Sequence, residues 1–250
     1  MKRVALGLSY DGSNYHGWQI QNNAVTVQGE LQKALSQLFK TEVSVSGCSR
    51  TDAGVHAKRF VCHFDLPFPF PLDRLPLALN ALLPFDIAVK EAFDVPDDFH
   101  ARFSCRGKTY VYRLWNAPLR SPFESRRAGF WPVSLDAERM NVLAKDFVGE
   151  HDFSSFMATG SVVEDTVRKI SSFSVDREDN LIFFSVTGNG FLYNMVRIMV
   201  GTLIYADLGK LEKSIPEILQ LKDRTHAGIT VPPQGLYLEK VYFDLPRISD

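Results

Sequence analysis

The sequence has 250 residues, 45% of them hydrophobic and 23% charged, which is typical of a globular protein with one large domain or two of ordinary size. Its 28 lysines and arginines nearly balance 29 aspartates and glutamates, so charge alone argues against a nucleic-acid partner, and any such binding must come from local basic patches. The three cysteines form no Cys-x-x-Cys pair, which disfavours a disulfide framework or a zinc site and predicts a reducing, cytoplasmic location.

The apolar segments are too short to cross a membrane. Residues 4–8 follow a basic start but are fewer than a signal peptide needs. The longest apolar stretch, residues 191–205, carries Asn194 and Arg197 and falls short of the roughly 20 residues of a membrane helix. The sequence therefore predicts no membrane segment.

Hydrophobic periodicity in the first hundred residues predicts the order β-α-β-β-α-β. The predicted elements are a strand at 3–9, a helix at 27–39, strands at 42–46 and 59–64, a helix at 75–83 capped by Asp73, and a strand at 87–93. Between the first strand and the first helix, residues 10–19 are rich in turn formers and aromatics. We expect exposed aromatic side chains there, of the kind that bind ligands.

The second half repeats the same order. It predicts a strand at 105–115, a helix within 135–147, strands at 167–175 and 181–187, a helix from about Phe191, a short helix opened by a Ser214–Glu217 capping box, and a strand at 236–243. We therefore predict an α+β fold of two ferredoxin-like β-α-β-β-α-β units with mainly antiparallel sheet and helices packed on it. Proline and acids at 94–98 predict domains 1–97 and 98–250.

A loop between two predicted strands, residues 47–57, concentrates small residues around one arginine and one carboxylate. Asp52, two residues before Gly54, is consistent with an Asx-turn that caps its own backbone. Alternatively, nearby Arg50 keeps the Asp52 carboxylate ionised and nucleophilic. Arg197 lies among apolar neighbours and calls for a carboxylate partner, which is either an acid on a neighbouring element or Asp52.

Cations and aromatics also alternate along the strand predicted at 105–115. The residues are Arg102, Arg106, Lys108, Tyr110, Tyr112 and Arg113. The pattern is similar to the RNP1 signature of RNA-recognition domains, in which aromatics on a sheet stack on bases, although Lys108 stands where an aromatic is expected. The alternative is a half-buried strand with its tyrosines in the core.

Several chemistries are excluded by missing motifs. The six histidines form no His-x-x-x-His pair, and no acidic cluster has calcium-loop spacing, so we expect no metal. Gly-x-Ser-x-Gly, Walker and Gly-x-Gly-x-x-Gly patterns are also missing, which argues against serine-hydrolase, nucleotide and dinucleotide chemistry.

Seven segments together show a family resemblance. They are YDG at 10–12, YHGWQ at 15–19, GCSRTDAGVHA at 47–57, KTYVY at 108–112, GEHDF at 149–153, residues 191–201, and GLYL at 235–238. In this order they resemble the tRNA pseudouridine synthase A family (TruA) over essentially the whole chain. One departure is Ser49, where many members have glycine before the arginine.

The resemblance implies conversion of uridine to pseudouridine at positions 38 to 40 of the tRNA anticodon stem-loop, by a cytoplasmic homodimer that needs no metal or organic cofactor. It implies that Asp52 is the nucleophile, attacking C1′ of the ribose or C6 of the base, or assisting elimination to a glycal. Tyr110 would pack on the target base, Arg50 would help extrude the nucleotide, Arg197 would orient Asp52, and Leu236 would form an apolar pocket wall.

The near-zero net charge then requires a local clamp for phosphates. The candidate cations are Lys58, Arg59, Arg102, Arg106, Lys108, Arg113, Arg120, Arg126, Arg127 and Arg168. We expect an active-site cleft between the two units, with Asp52 in reach of Arg197 and facing Tyr110. Two alternatives remain open, a pseudouridine synthase acting on another RNA and a non-catalytic RNA-binding protein.

Overall fold

The computed structural model describes residues 2–160 and 163–245. Two compact units make up the chain: unit 1 comprises Met1–Arg106 and Tyr237–Asp250, and unit 2 comprises Gly107–Leu236. The boundaries of these units lie after Arg106 and after Leu236, whereas the sequence predicted a single boundary after residue 97. The second boundary arises because most of the last strand is grouped with the N-terminal part of the chain. The domain assignment 1–97 and 98–250 stays a prediction.

The secondary structure follows the predicted order with a few additions. In chain order the strands and helices are β1 (Arg3–Tyr10), α1 (Val27–Phe39), β2 (Ser46–Gly47), β3 (His56–Asp65), α2 (Leu75–Asn80), β4 (Ile87–Asp94), β5 (Cys105–Asn116), β6 (Gly129–Trp131), α3 (Ala137–Ala144), β7 (Gly149–Asp152), β8 (Val167–Glu178), β9 (Leu181–Gly188), α4 (Met195–Asp207), α5 (Ile215–Leu221) and β10 (Leu236–Phe243). The short strands β6 and β7 were not expected from the hydrophobic pattern.

In unit 1, antiparallel pairing places β1 between β4 and β3. The other edge of β3 is shared by two strands. β2 pairs antiparallel near its C-terminal end, with Gly47 opposite Cys62, and β10 pairs parallel at its N-terminal end, with Tyr237 opposite His56. The order β4-β1-β3-β2 is that of a ferredoxin-like sheet. The parallel pairing with β10 thus brings the last strand beside the start of β3.

In unit 2, β5, β9, β8 and β7 lie in that order and pair antiparallel, while β6 adds a short parallel pair to β5. Every second residue of β9 is buried, which places Ile182, Phe184 and Val186 in the core. The apolar helix α4 buries Ile198 and Met199 completely. The mixed α and β fold with mainly antiparallel sheet agrees with the predicted class.

The strand predicted at residues 42–46 is wrong except at Ser46. Val43 and Val45 are buried as the alternation indicated, but side chains of α1 bind their backbone in place of a neighbouring strand. The Val45 N–H donates to Gln32 Oε1 at 3.1 Å, and its carbonyl accepts from Gln28 Nε2 at 2.8 Å. Because these backbone groups already have hydrogen-bond partners, the segment needs no neighbouring strand. Its side chains therefore alternate between buried and exposed positions although residues 42–45 pair with no described strand.

Two predicted helix starts are also corrected. Helix α4 begins at Met195 and not near Phe191, because Asn194 adopts a left-handed conformation with φ of 59° that interrupts the helix. At α2 the cap position is Arg74, without a side-chain capping bond, so Asp73 is not the cap. By contrast, the Ser214–Glu217 capping box is present at α5. No helix in the described ranges is long and apolar enough to span a bilayer.

Candidate active site

The loop that carries Asp52 connects β2 to β3 in unit 1, between two strands as predicted. Thr51 is buried, Asp52 is half-buried and Arg50 is exposed. Within the described part of the chain, the Arg50 side chain forms no hydrogen bond or ion pair. The loop thus presents an arginine to solvent two residues before a partly shielded carboxylate.

Main-chain hydrogen bonds on both sides of Asp52 hold the loop. The carbonyl of Thr51 accepts from the Trp18 N–H at 3.1 Å, and the Gly54 N–H donates to the carbonyl of Tyr15 at 3.2 Å. The Val55 N–H closes a turn onto the backbone carbonyl of Asp52 at 3.1 Å. The loop is therefore fixed by its own turn and by the segment that follows β1.

The aromatic side chains of the 10–19 segment are not the exposed ligand-binding rings that the sequence suggested. Tyr15 and Trp18 are 6% and 3% exposed. The Trp18 indole stacks on Phe60 with ring centroids 4.0 Å apart. A Cβ at Gly47 would lie 2.5 Å from that indole, which explains the glycine at the start of the loop. These rings are internal supports of the Asp52 loop.

Two residues that sequence reasoning passed over fix the end of the loop. The buried ring of His56 accepts a hydrogen bond at Nδ1 from the Gly12 N–H at 3.1 Å. It stacks on Tyr237 with centroids 4.6 Å apart and ring planes inclined by 20°. Both belong to the segments that carry the family resemblance, and that was the signal that could have found them.

In unit 2 the two tyrosines of β5 are both buried. Tyr112 is fully buried and donates its hydroxyl hydrogen bond to the Pro232 carbonyl at 2.9 Å. Burial raises the pKa of this hydroxyl above its usual value. Tyr110 is 7% exposed and meets Phe191 edge to face at 5.1 Å. Tyr112 is therefore a core residue, which agrees with the alternative prediction of a half-buried strand with its tyrosines in the core.

Arg197 is half-buried in the first turn of α4, where an unpartnered cation would be costly. Its Nε donates to the Val231 carbonyl at 2.7 Å, and its Nη1 donates to Asn194 Oδ1 at 2.6 Å. These two neutral oxygens orient the guanidinium within unit 2. The predicted pairing of Arg197 with Asp52 stays a prediction, as do the roles of Tyr110 and of Leu236, which is buried at the start of β10.

Five of the candidate phosphate-binding cations form ion pairs with described carboxylates. The pairs are Lys58–Glu239, Arg59–Glu91, Arg106–Asp244, Arg113–Glu124 and Arg168–Asp165. Their partners reduce the positive potential that they offer to RNA. Arg126 and Arg127 are both exposed in the loop between β5 and β6. Their exposure is compatible with the phosphate contact predicted for them.

The GEHDF segment has a structural role. Asp152 accepts from the Ser154 N–H at 3.0 Å and from Thr166 Oγ1 at 2.7 Å, and it forms an ion pair with Lys222 at 2.9 Å. Burial would raise the pKa of the Asp152 carboxyl, but these bonds outweigh burial and hold the pKa below its usual range. Among the described residues, no group of three or more His, Cys, Asp or Glu side chains could hold a metal ion.

Comparison with known proteins gives a consistent result. A family model described as "tRNA pseudouridine synthase" matches residues 8–104 and 143–244. Three relatives, each named "tRNA pseudouridine synthase A", align over nearly the full chain. They come from Ruminiclostridium cellulolyticum (51% identity, 97% of this chain and 100% of the relative), Thermoanaerobacter sp. (47%, 97% and 100%) and Limosilactobacillus fermentum (43%, 100% and 99%).

Solved structures are more remote. The crystal structure of a Cbf5-Nop10-Gar1 complex aligns with 80% of this chain and 53% of that chain, at 11% identity and a TM-score of 0.38. A likeness this weak supports no conclusion about fold or function.

Proposed function

The chain belongs to the tRNA pseudouridine synthase family, and we propose that it isomerises uridine to pseudouridine at positions 38 to 40 of the tRNA anticodon stem-loop. The observation that carries the proposal is the loop Arg50-Thr51-Asp52, which presents a half-buried carboxylate beside an exposed arginine. A non-catalytic RNA-binding protein would have no use for this arrangement.

The reaction suits a site with a single carboxylate. The N-glycosidic bond breaks, the uracil turns, and a bond forms between C5 of the base and C1′ of the ribose. A proton leaves C5 and one is gained at N1, so the product is an isomer and neither electrons nor water are consumed. Asp52 would act in its ionised form, by attack on C1′ or C6 or by assisting elimination to a glycal.

The other site residues would prepare the nucleotide for this step. Arg50 is exposed and, among the described residues, has no hydrogen bond or ion pair, so it is available to help extrude the uridine or to occupy its vacated place. The buried Tyr110 would offer an aromatic face to the base, and Leu236 an apolar wall. Arg197, held by Val231 and Asn194, would orient the carboxylate.

Binding would rest on the phosphate backbone. Arg126 and Arg127 are exposed and would contact phosphates of the anticodon stem-loop. We further propose that the enzyme works in the cytoplasm as a homodimer. A pseudouridine synthase acting on another RNA is the remaining alternative, and the choice of substrate decides between them.

The test is tritium release from tRNA labelled at uridine C5. We expect the wild type to release tritium and Asp52→Asn to be slower by roughly a thousandfold, about 4 kcal/mol in activation free energy. Asp98→Asn, at an exposed carboxylate, is the matched control and should keep wild-type activity. Substrates with a single uridine at position 38, 39 or 40 test the positions.

Each failure has a distinct meaning. No release by the wild type from any tRNA or other RNA would refute the enzyme assignment. Undiminished release by Asp52→Asn would remove Asp52 from the chemistry. Release from other RNAs but not from anticodon stem-loops would favour the alternative substrate.

A further inference from the structure

The segment from Tyr10 to Trp18 forms a template against which the Asp52 loop is laid. Its backbone contacts the loop on both sides of the carboxylate: the Trp18 N–H binds the carbonyl of Thr51, and the Tyr15 carbonyl binds the N–H of Gly54. These two bonds fix the residue before Asp52 and the second residue after it. The main chain of Asp52 has correspondingly little freedom.

Glycines allow the template to come this close. Gly17 has a φ of +85°, and a Cβ there would lie 2.4 Å from the carbonyl oxygen of Thr51. A Cβ at Gly12 would lie 2.0 Å from the carbonyl oxygen of Val55. Any side chain at either position would push the two segments apart. The carbonyl groups of Thr51 and Val55 therefore pack directly against the backbone of the template at Gly17 and Gly12.

One side-chain hydrogen bond also joins the template to the Asp52 loop. The hydroxyl of Tyr10 lies 2.8 Å from Thr51 Oγ1, and both side chains are buried, at 4% and 7% exposure. The Tyr10 ring packs against Phe60 at 5.7 Å and Trp18 at 6.4 Å, so the phenol cannot swing away. Thr51 is covalently adjacent to Asp52. A shift of the Thr51 backbone, which the hydrogen bond of its side chain to Tyr10 opposes, therefore changes the direction of the Asp52 side chain.

We propose that Tyr10 is a positioning residue for the reaction, which sets the direction of the Asp52 carboxylate through its hydrogen bond to Thr51. The inference rests on the proposed function, because it assigns a role to a contact behind the nucleophile. Reaction rate is sensitive to displacements of the attacking atom of about 1 Å or less, whereas binding of tRNA through its phosphates is not. Loss of the Tyr10 hydroxyl therefore lowers kcat and leaves KM unchanged.

The experiment compares three single variants and one double variant. Tyr10→Phe removes the hydroxyl and keeps the ring, Thr51→Val removes the hydroxyl and keeps the shape, and Thr51→Ser keeps the hydroxyl. In single-turnover tritium release we expect Tyr10→Phe and Thr51→Val to be slower by about tenfold to a hundredfold. The double variant Tyr10→Phe/Thr51→Val should be no slower than the two single variants it combines, because all three lose the same hydrogen bond. Thr51→Ser should keep most of the wild-type rate of tritium release.

A control separates positioning from stability. Ser155 is fully buried and donates its hydroxyl to the carbonyl of Ile218 at 2.6 Å, in elements that carry no proposed site residue. Ser155→Ala removes one buried hydroxyl bond, as Tyr10→Phe does. It should lower the melting temperature without changing the single-turnover rate or the affinity for tRNA.

Three outcomes would overturn the positioning role while the wild type stays active. They are a wild-type rate for Tyr10→Phe, a loss of rate matched by Ser155→Ala at equal loss of melting temperature, and a change confined to KM. An inactive wild type would instead refute the proposed function, and the positioning role would fall with it.

Discussion

Two loops of this protein are held in contrasting ways. The Asp52 loop of unit 1 is bound through its backbone to the Tyr10–Trp18 template, and its Thr51 and Val55 side chains are buried. The loop of residues 117–128 in unit 2 is fastened by Trp115, whose Nε1 donates to the Leu119 carbonyl at 2.9 Å, and by the Arg113–Glu124 pair. Several of its side chains, among them Leu119, Phe123 and Arg126, are exposed to solvent.

Exposure makes the contrast clear. Phe123 is 89% exposed, and Arg126 and Arg127 are also exposed, whereas Tyr10 and Thr51 are almost completely buried. A nucleophile, the role proposed for Asp52, must be placed to within a fraction of an ångström, and a backbone fixed by the fold meets that need. A side chain that meets a phosphate needs reach and charge more than a single position. We infer that the Asp52 loop is the more rigid of the two loops because its proposed chemistry requires a fixed position.

The largest effect should follow from breaking the template. Gly17→Ala would place a Cβ 2.4 Å from the Thr51 carbonyl at a positive φ, so the template and the loop must separate. We expect single-turnover tritium release to fall at least about a hundredfold, and the free energy of unfolding to fall by about 2 to 3 kcal/mol.

Gly209→Ala is the matched control for this change. Gly209 also has a positive φ, of +65°, but no atom lies within 4 Å of its added Cβ. It should lower the free energy of unfolding by about 1 kcal/mol and leave activity unchanged. Equal losses of activity in both variants would show that backbone strain, and not the close approach to Thr51, causes the effect.

A smaller effect should come from the exposed loop. Reversing the charge at Arg126 and Arg127 to glutamate should weaken tRNA binding about tenfold or more near 0.1 M salt. The slope of log affinity against log salt should decrease by one to two, while kcat at saturating tRNA stays the same. Lys33→Glu with Lys90→Glu makes the same change of net charge at exposed sites in the other unit, unit 1. Unchanged affinity and slope in the arginine variant would remove this loop from the RNA interface.

The smallest effect concerns the strand that follows the Asp52 loop. His63 of β3 accepts from the Ala101 N–H at 3.2 Å, and burial, His100 and Arg3 lower its pKa to about 4. Between about pH 6.5 and pH 4 the unfolded chain binds a proton that the folded state does not. The free energy of unfolding should therefore be highest above pH 6.5 and should decrease by about 1 to 2 kcal/mol as the pH falls to 4.

Urea unfolding at several pH values measures this decrease. His63→Gln keeps an acceptor for Ala101 and should flatten the profile between pH 6.5 and 4, whereas His16→Gln, at an exposed histidine, should not. Carboxylates with lowered pKa such as Asp65, paired with Arg3, lose their contribution only below about pH 4. An unchanged profile in His63→Gln would show that other groups cause the acid sensitivity.

Much of the fold was predictable because its pattern is local. The helical spacing of Val27, Leu31 and Leu35 marked α1, and the alternation in β9 marked a half-buried strand. Residues 42–45 show the limit. Their alternating burial is real, but whether a strand or a glutamine side chain binds the backbone is a tertiary fact that periodicity does not encode.

The candidate site was predictable to a similar degree. The residues around Asp52 stood out because a core has little use for arginine, aspartate and glycine together. The burial of Trp18 and the contact of Tyr10 with Thr51 could not be read in advance, since they depend on the pairing of β1 with β3 across more than 40 residues. Only the resemblance to a family connected these segments before the structure did.

The position of β10 has a consequence for synthesis on the ribosome. It pairs with the start of β3 and supplies the ring that stacks on His56, yet all of unit 2 lies between it and the rest of unit 1. While unit 2 is being translated, the nascent unit 1 exposes that strand edge without its partner, where non-native pairing and aggregation begin. The support of the Asp52 loop is therefore completed only after unit 2 has been translated, so a nascent chain without β10 lacks the stacking of Tyr237 on His56.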